Sequence, residues 1–382
     1  MLRPNIPVVM YHSINDHIDA HPLGFLAFTT DEFRQQLRFF RDSGFSFVTI
    51  DEIYRRALAG NLGNERIVVL TFDDGFLDNY LVAEEIMREY DAKGTIFVNP
   101  GHAPGGEVRQ LSDVPNAWGH LNFAEMRLLE QNGVFDIQSH TMTHEMVFSS
   151  DRIIDFYEPS KFGKYHWLVW MLHPETLKSW NGDVYRYAEL IPTGYPIFEY
   201  DRCVFAKAFH PSDTFVEDCC SRFQHVGHSA LSELQKLKNK GVFESEKEYV
   251  NRADLQLREA KQLLETELNK EVIGLCLPGG AYDERIIGVA RGIGHRLVML
   301  SSRDQQSDNA LALTTVTSDK ITGLKRVSFS KDYPGFLRGK RAAYWSAKLK
   351  VGTFMGDPLV TGILQLARSV RNIFKHITKR FI

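Results

Sequence analysis

The segment Ile67-Val-Val-Leu-Thr-Phe-Asp73-Asp74-Gly75 closes an apolar run with two adjacent carboxylates and a glycine. Adjacent acids on an extended chain point in different directions, so one can hold a cation while its neighbour faces a water molecule. A second run, Phe135-Asp-Ile-Gln-Ser-His140-Thr-Met-Thr-His144, ends in two histidines four positions apart. If the chain turns helically after His140, both rings reach one cation. With one carboxylate they make a His₂Asp set that leaves a position for water and substrate, the arrangement of metal-assisted hydrolysis. An Asp-Gly pair is also an ordinary turn, and an HxxxH spacing is common at surfaces. The two carry weight together because each ends a different apolar run.

Those runs define the elements that must position the four side chains. Short apolar stretches at 6–11, 45–50, 67–72, 94–98, 135–138, 272–277 and 296–300 read as buried parallel strands. Helical patterns lie between them at 30–43, 77–90 and 123–131. The first opens with a Thr29-x-x-Glu32 capping box and closes at Gly44, and the last closes at Asn132-Gly133. Strand–helix alternation predicts a parallel sheet, either a barrel or a doubly wound sheet, with its active face at the carboxyl ends of the strands.

The alternation stops between about 150 and 240, where aromatics including Trp167, Trp170, Trp180, Tyr187 and Tyr200 are interrupted by Pro174, Pro192, Pro196 and Pro211. This stretch is too apolar for a linker and too irregular for another strand–helix unit, so it is expected to pack over the barrel as an insertion. A charged helix at 247–268 resumes the pattern. The expected divisions are 1–149 and 245–332 for the barrel, 150–244 for the insertion and 333–382 for a tail.

Of the 382 residues 43% are hydrophobic and 24% charged, the balance of an ordinary globular chain, and a net charge of −3 gives no general reason to bind nucleic acid. Four cysteines without a CxxC pair exclude a disulfide framework and a cysteine zinc site. The apolar stretch near the start, 6–10, is too short for a signal peptide, so the chain is expected in the cytoplasm. From Tyr333 onward there are ten Lys or Arg and one acid, Asp357. Ile363, Leu366, Val370, Phe374 and Ile377 fall on one helical face, with Arg368, Arg371, Lys375 and Lys379 largely around the other. A basic amphipathic helix of this kind is expected to lie on a membrane surface or to pack on a partner.

With both motifs in view, the sequence resembles the polysaccharide deacetylase family (carbohydrate esterase family four). Thr71-Phe-Asp-Asp-Gly75 matches its first motif and Ser139-His-Thr-Met-Thr-His144 its second. The opening Ile6-Pro-Val-Val-Met-Tyr-His12 and the loop Cys276-Leu-Pro-Gly-Gly-Ala-Tyr-Asp283 are similar to the branch of poly-N-acetylglucosamine deacetylases, a circularly permuted form. The resemblance covers roughly 6–148 and 245–330. It implies a distorted (β/α) barrel with Asp73 as general base, and Asp74, His140 and His144 as ligands of one divalent ion, zinc. It further implies His12 as general acid and a backbone N–H at Gly279 in the oxyanion hole. Two positions depart from the pattern: Leu277 stands near an arginine that pairs with the base, and Gly279 replaces the loop aromatic. Arg303 and Arg326 are candidates to supply the missing charge.

The expected activity is therefore hydrolysis of an N-acetyl group on a carbohydrate, either a surface polysaccharide or a lipid-linked glycan precursor at the cytoplasmic membrane face. The alternatives are a deformylase or related amidase acting on a lipid-linked amino sugar, and a catalytically weak glycan-binding barrel. Aromatics of the insertion would offer flat faces to sugar rings.

Overall fold

The computed structural model describes residues 5–179, 184–280, 283–300, 308–329, 341–360 and 362. In chain order its main strands are Val8–Tyr11 (β1), Phe45–Val48 (β2), Arg66–Phe72 (β3), Gly94–Val98 (β4), Phe135–Ser139 (β5), Met146–Phe156 (β6), Pro196–Arg202 (β7), Gly274–Cys276 (β8), Leu297–Leu300 (β9) and Thr322–Ser328 (β10). Seven of them, in the order β1, β10, β9, β8, β5, β4 and β3, close into a ring because β1 also pairs with β3. Every pairing in the ring is parallel, and β2 lies outside it, joined to β3 alone. The ring is a distorted barrel: β5 and β8 share only the partner pair Leu275 and Ser139.

The apolar runs are continuous because both faces of each strand are buried. Alternate residues enter two different cores. Val8, Val69, Phe97, Met299 and Leu324 gather in one, while Val9, Tyr11, Leu70, Phe72, Ile96 and Ile137 pack in another with the surrounding helices. The helices Thr30–Asp42 (α1), Phe123–Asn132 (α2) and Glu246–Leu268 (α3) each begin with a capping box, supplied by Thr29 and Glu32, Asn122 and Glu125, and Ser245 and Glu248. The helix expected at 77–90 is less regular, opening as a π-turn at Asn79–Ala83 before the α-helical Glu84–Arg88.

Register carries the site. Val8 of β1 lies opposite Val69 on one side and Arg326 on the other, and Tyr11 lies opposite Phe72. The chain ends of β1 and β3 therefore bring His12 and Asp73 together, with β10 beside them. The sequence pattern did not announce β10, because Gly323, Lys325 and Arg326 break its apolar run.

Residues expected to be irregular after 150 contain a long antiparallel hairpin, β6 with β7, which starts before 150 and has its own core of Phe148, Phe156, Tyr157, Tyr165, Trp167 and Trp170. Most of the aromatics seen in the sequence are consumed by that core. The tail is not one appended element: Ala342–Phe354 (α4) is part of the barrel's outer layer, with Ala347 and Val351 buried beside Phe39 and Phe40 of α1. The basic amphipathic segment at 363–382, Trp180 and Arg303 lie outside the described residues. No helix among the described residues is long and apolar enough to cross a membrane.

Candidate active site

Asp73 and Asp74 follow β3 at a sharp turn in which Asp74 and Gly75 both take left-handed backbone angles, φ 71° and 66°. Gly75 is required twice over, since a Cβ there would meet Val98 Cγ1 at 2.8 Å. The turn sends the two carboxylates to different neighbours. Asp73 is buried and accepts from Arg326 Nη1 at 2.6 and 2.8 Å, while the Cys276 thiol lies 3.6 Å from Oδ2. Asp74 Oδ1 faces the histidines, 3.3 Å from His140 Nε2 and 3.9 Å from His144 Nε2. Burial alone would raise the pKa of Asp73; the Arg326 guanidinium overcomes it and holds the carboxyl below its ordinary range.

The segment after His140 does not turn helically, contrary to expectation. Thr141 and His144 are themselves left-handed, with φ 69° and 52°, and the loop is tied down from outside. Asn99 Nδ2 donates to the carbonyls of His140 and Thr141, at 2.5 and 3.2 Å. Gly101 N donates to Met142 O, and Gln256 of α3 accepts from Thr143 N. Convergence of the two rings is thus a property of the barrel rim rather than of helical spacing. Non-glycine residues held in this region cost about 1–3 kcal/mol each and collect at functional sites.

The donor set fits a divalent cation. Atoms about 2.1 Å from a tetrahedral zinc lie about 3.4 Å from one another, close to the Asp74–His140 separation. His140 Nδ1 donates to the Cys276 carbonyl at 2.7 Å, which fixes the ring with Nε2 aimed at Asp74. Against the effect of burial, Cys276 and the neighbouring carboxylates raise its pKa well above the ordinary value, so a bound cation would take the place of the Nε2 proton. Burial lowers the His144 pKa to about 4, so that ring stays neutral, the form that binds metal. A second cluster, Asp73, His140 and Cys276, is also close enough for a shared ion. It fits less well, because Asp73 is already matched by Arg326 and burial raises the Cys276 pKa, keeping a thiol rather than a thiolate.

His12 Nε2 lies 3.9 Å from Asp73 Oδ2, on the open side of the site. Its backbone is anchored by Asn79 Nδ2, which donates to His12 O at 2.9 Å, while Asp78 accepts from Ser13, Ile14 and Asn15 just beyond it. Gly279 closes the opposite rim in a left-handed conformation, φ 71°. All six residues expected from the sequence, His12, Asp73, Asp74, His140, His144 and Gly279, line two adjoining cavities of about 360 and 160 Å³. Of the two candidates for the missing charge, Arg326 is the one seen against Asp73.

Three features carried no sequence signal. His102 and His120 are isolated histidines in loops, yet both line the larger cavity with ring centroids 4.6 Å apart. His120 Nδ1 donates to Asp74 O at 3.2 Å and His102 Nε2 to Thr143 O at 2.7 Å, so both brace the ligand loops from outside. Burial lowers the pKa of each ring. The third feature is Arg202, at the end of β7, which reaches the cavity beside Gly279.

Residues 61–160, which hold both the acid pair and the two histidines, match the polysaccharide deacetylase family. A putative polysaccharide deacetylase of Bacillus subtilis, YxkH, is 30% identical over 139 residues, 36% of this chain and 43% of that protein. The chain thus matches less than half the length of that curated relative. A de-N-acetylase from Aggregatibacter actinomycetemcomitans superposes with a TM-score of 0.51 at 15% identity, over 84% of this chain and 94% of its own. The BpsB deacetylase domain of Bordetella bronchiseptica superposes with a TM-score of 0.49 at 16% identity, over 85% and 95% of the two chains.

Proposed function

We propose that this chain is a metal-dependent carbohydrate N-deacetylase that releases acetate and leaves a free sugar amine. The observation that carries the reading is the placement of Asp73 and His12 on one flank of the Asp74, His140 and His144 triangle, all opening on two adjoining cavities. Zinc held by Asp74, His140 and His144 would polarise the acetyl oxygen and lower the pKa of water from 15.7 to about 7.

Asp73 is then placed to take a proton from the attacking water as its oxygen bonds to the acetyl carbon. Arg326 weakens Asp73 as a base but keeps it ionised at neutral pH, so the acceptor is always available. The backbone N–H of Gly279 is proposed to donate to the oxyanion. As the carbon–nitrogen bond breaks, His12 protonates the departing amine. Trp167, Trp170 and Tyr200 line the cavity and offer flat faces to the sugar rings.

Asp73→Asn is expected to keep its metal, by elemental analysis, while acetate release from N-acetylglucosamine oligomers falls by roughly 10²–10⁴. An active Asp73→Asn protein would remove Asp73 from the mechanism. Release of formate from N-formyl sugars, with no acetate from N-acetyl sugars, would move the activity to deformylation.

The site of action is proposed to be an anionic membrane surface reached through the basic segment at 363–382. A chain ending at Gly356 retains α4 and should keep the barrel folded, but loses five basic residues, each worth about 1 kcal/mol near an anionic surface. The full chain should sediment with phosphatidylglycerol vesicles and the shortened one should not. Binding should weaken as the Debye length falls from about 10 Å at 0.1 M salt to about 3 Å at 1 M. Equal sedimentation of the two chains would relocate the membrane contact or remove it.

A further inference from the structure

We propose that the sugar taken by this site carries an anionic substituent, a phosphate ester or a carboxylate, held by Arg202 and Lys164. The inference rests on the deacetylase reading above and concerns what else its substrate must contain.

Among the described residues lining the larger cavity, Asp74 is the only carboxylate, whereas Arg202 and Lys164 both contribute cations. Asp74 is committed to the triangle with His140 and His144, and the charge of Asp73 is matched by Arg326. The cavity wall is therefore net positive, and more so with a divalent ion in place. Each cation is held only loosely by the acid nearest to it, Lys164 resting also over the Tyr165 ring at 4.5 Å. Arg202 Nη1 is 3.6 Å from Asp201 and Lys164 Nζ is 3.8 Å from Asp155, both beyond hydrogen-bond length. Asp155 already accepts from Lys161 at 2.7 Å and from the Tyr165 hydroxyl at 2.9 Å. Neither Asp201 nor Asp155 lines the cavity.

The position of Arg202 is built rather than incidental. A Cβ on Gly279 would sit 2.9 Å from its Cζ and 3.0 Å from Nε and Nη2, so the guanidinium occupies the space that a loop side chain would fill. Its Nε is buried without a hydrogen-bond partner. The glycine in this loop and the arginine delivered by the insertion are thus two halves of one fit. Lys164 comes from the short helix Phe162–Tyr165 of the same insertion, so both charges arrive on the segment that distinguishes this chain from a bare barrel. Closing a neutral sugar into the cavity would take water from the half-buried Arg202 guanidinium and return nothing, whereas an oxyanion would pair with the arginine through its N–H groups and with the more exposed lysine as a point charge.

The test measures acetate release by the metal-loaded full chain from N-acetylglucosamine, N-acetylglucosamine 1-phosphate and an N-acetylaminouronic acid. The expected result is a kcat/KM at least about tenfold higher for one of the anionic substrates than for the neutral one, a preference that shrinks with added salt. Which anion is favoured separates phosphate from carboxylate. Arg202→Gln and Lys164→Gln should each collapse that preference, and Arg202→Lys should restore part of it. Anionic and neutral substrates used within twofold of one another, or a preference that survives both glutamine variants, would overturn the proposal. If no substrate releases acetate, it is the deacetylase reading that fails. The anion preference is then decided by calorimetry of the same three sugars: tighter binding of an anionic sugar that Arg202→Gln abolishes supports it, and equal binding overturns it.

Discussion

Exchange of Arg326 for methionine is expected to lower the unfolding free energy by about 3–5 kcal/mol, because it leaves the Asp73 carboxylate buried without its counter-charge. Both side chains are nearly inaccessible, 5% and 4% exposed, so solvent screening does not soften the loss. The same exchange in an Asp73→Asn background should cost much less, since the stranded charge is gone. The pH dependence should also shift. In the intact protein Asp73 is held below its ordinary value of 3.8, so its contribution to stability is complete above that pH and is lost only as the pH falls further. Without Arg326, burial is opposed only by His140 and His12, so the carboxyl rises relative to the parent and the variant should gain stability relative to it as the pH drops. Urea unfolding of the three variants between pH 4 and 8 measures both effects. A cost for the single exchange no larger than that in the Asp73→Asn background would mean that the two groups are not energetically coupled.

Loss of the cation should follow from removal of any one of its proposed ligands. His140→Ala is expected to reduce bound metal from about one ion per chain to a small fraction and to bring acetate release to background, because two remaining ligands do not make a closed zinc site. Asp74→Asn should do the same, in contrast to Asp73→Asn, which should keep the ion. The contrast between neighbouring acids is the sharpest discriminant, since it follows from the turn at Asp74 and Gly75 that sends one carboxylate to Arg326 and the other to the histidines. Elemental analysis of the purified variants checks it. Should Asp73→Asn lose the ion and Asp74→Asn keep it, the cluster of Asp73, His140 and Cys276 becomes the metal centre instead.

Much of the barrel and the core of its site were legible in the sequence for one physical reason. Strands buried on both faces read as largely apolar runs, and the acids and histidines of the site follow where those runs end at the rim. Asp73, Asp74, His140 and His12 are conspicuous because each follows such a run directly. What remained hidden depends on contacts between distant parts of the chain. Arg326 interrupts its own strand and makes sense only against Asp73, 253 positions away, because register places β1 between β3 and β10. His144 reaches the site through a loop shaped by Asn99, Gly101 and Gln256 rather than by its spacing from His140. Gly279 looked like a lost aromatic until the insertion's Arg202 was found in its place. Local pattern reports what a residue must bury, and it marked most of the barrel strands and the polar residues that follow them. Charge compensation across the barrel and the fit of the insertion against its rim were decided by the tertiary structure alone, because the stability of a buried charge is set by its partner in space and not by its neighbours in the chain.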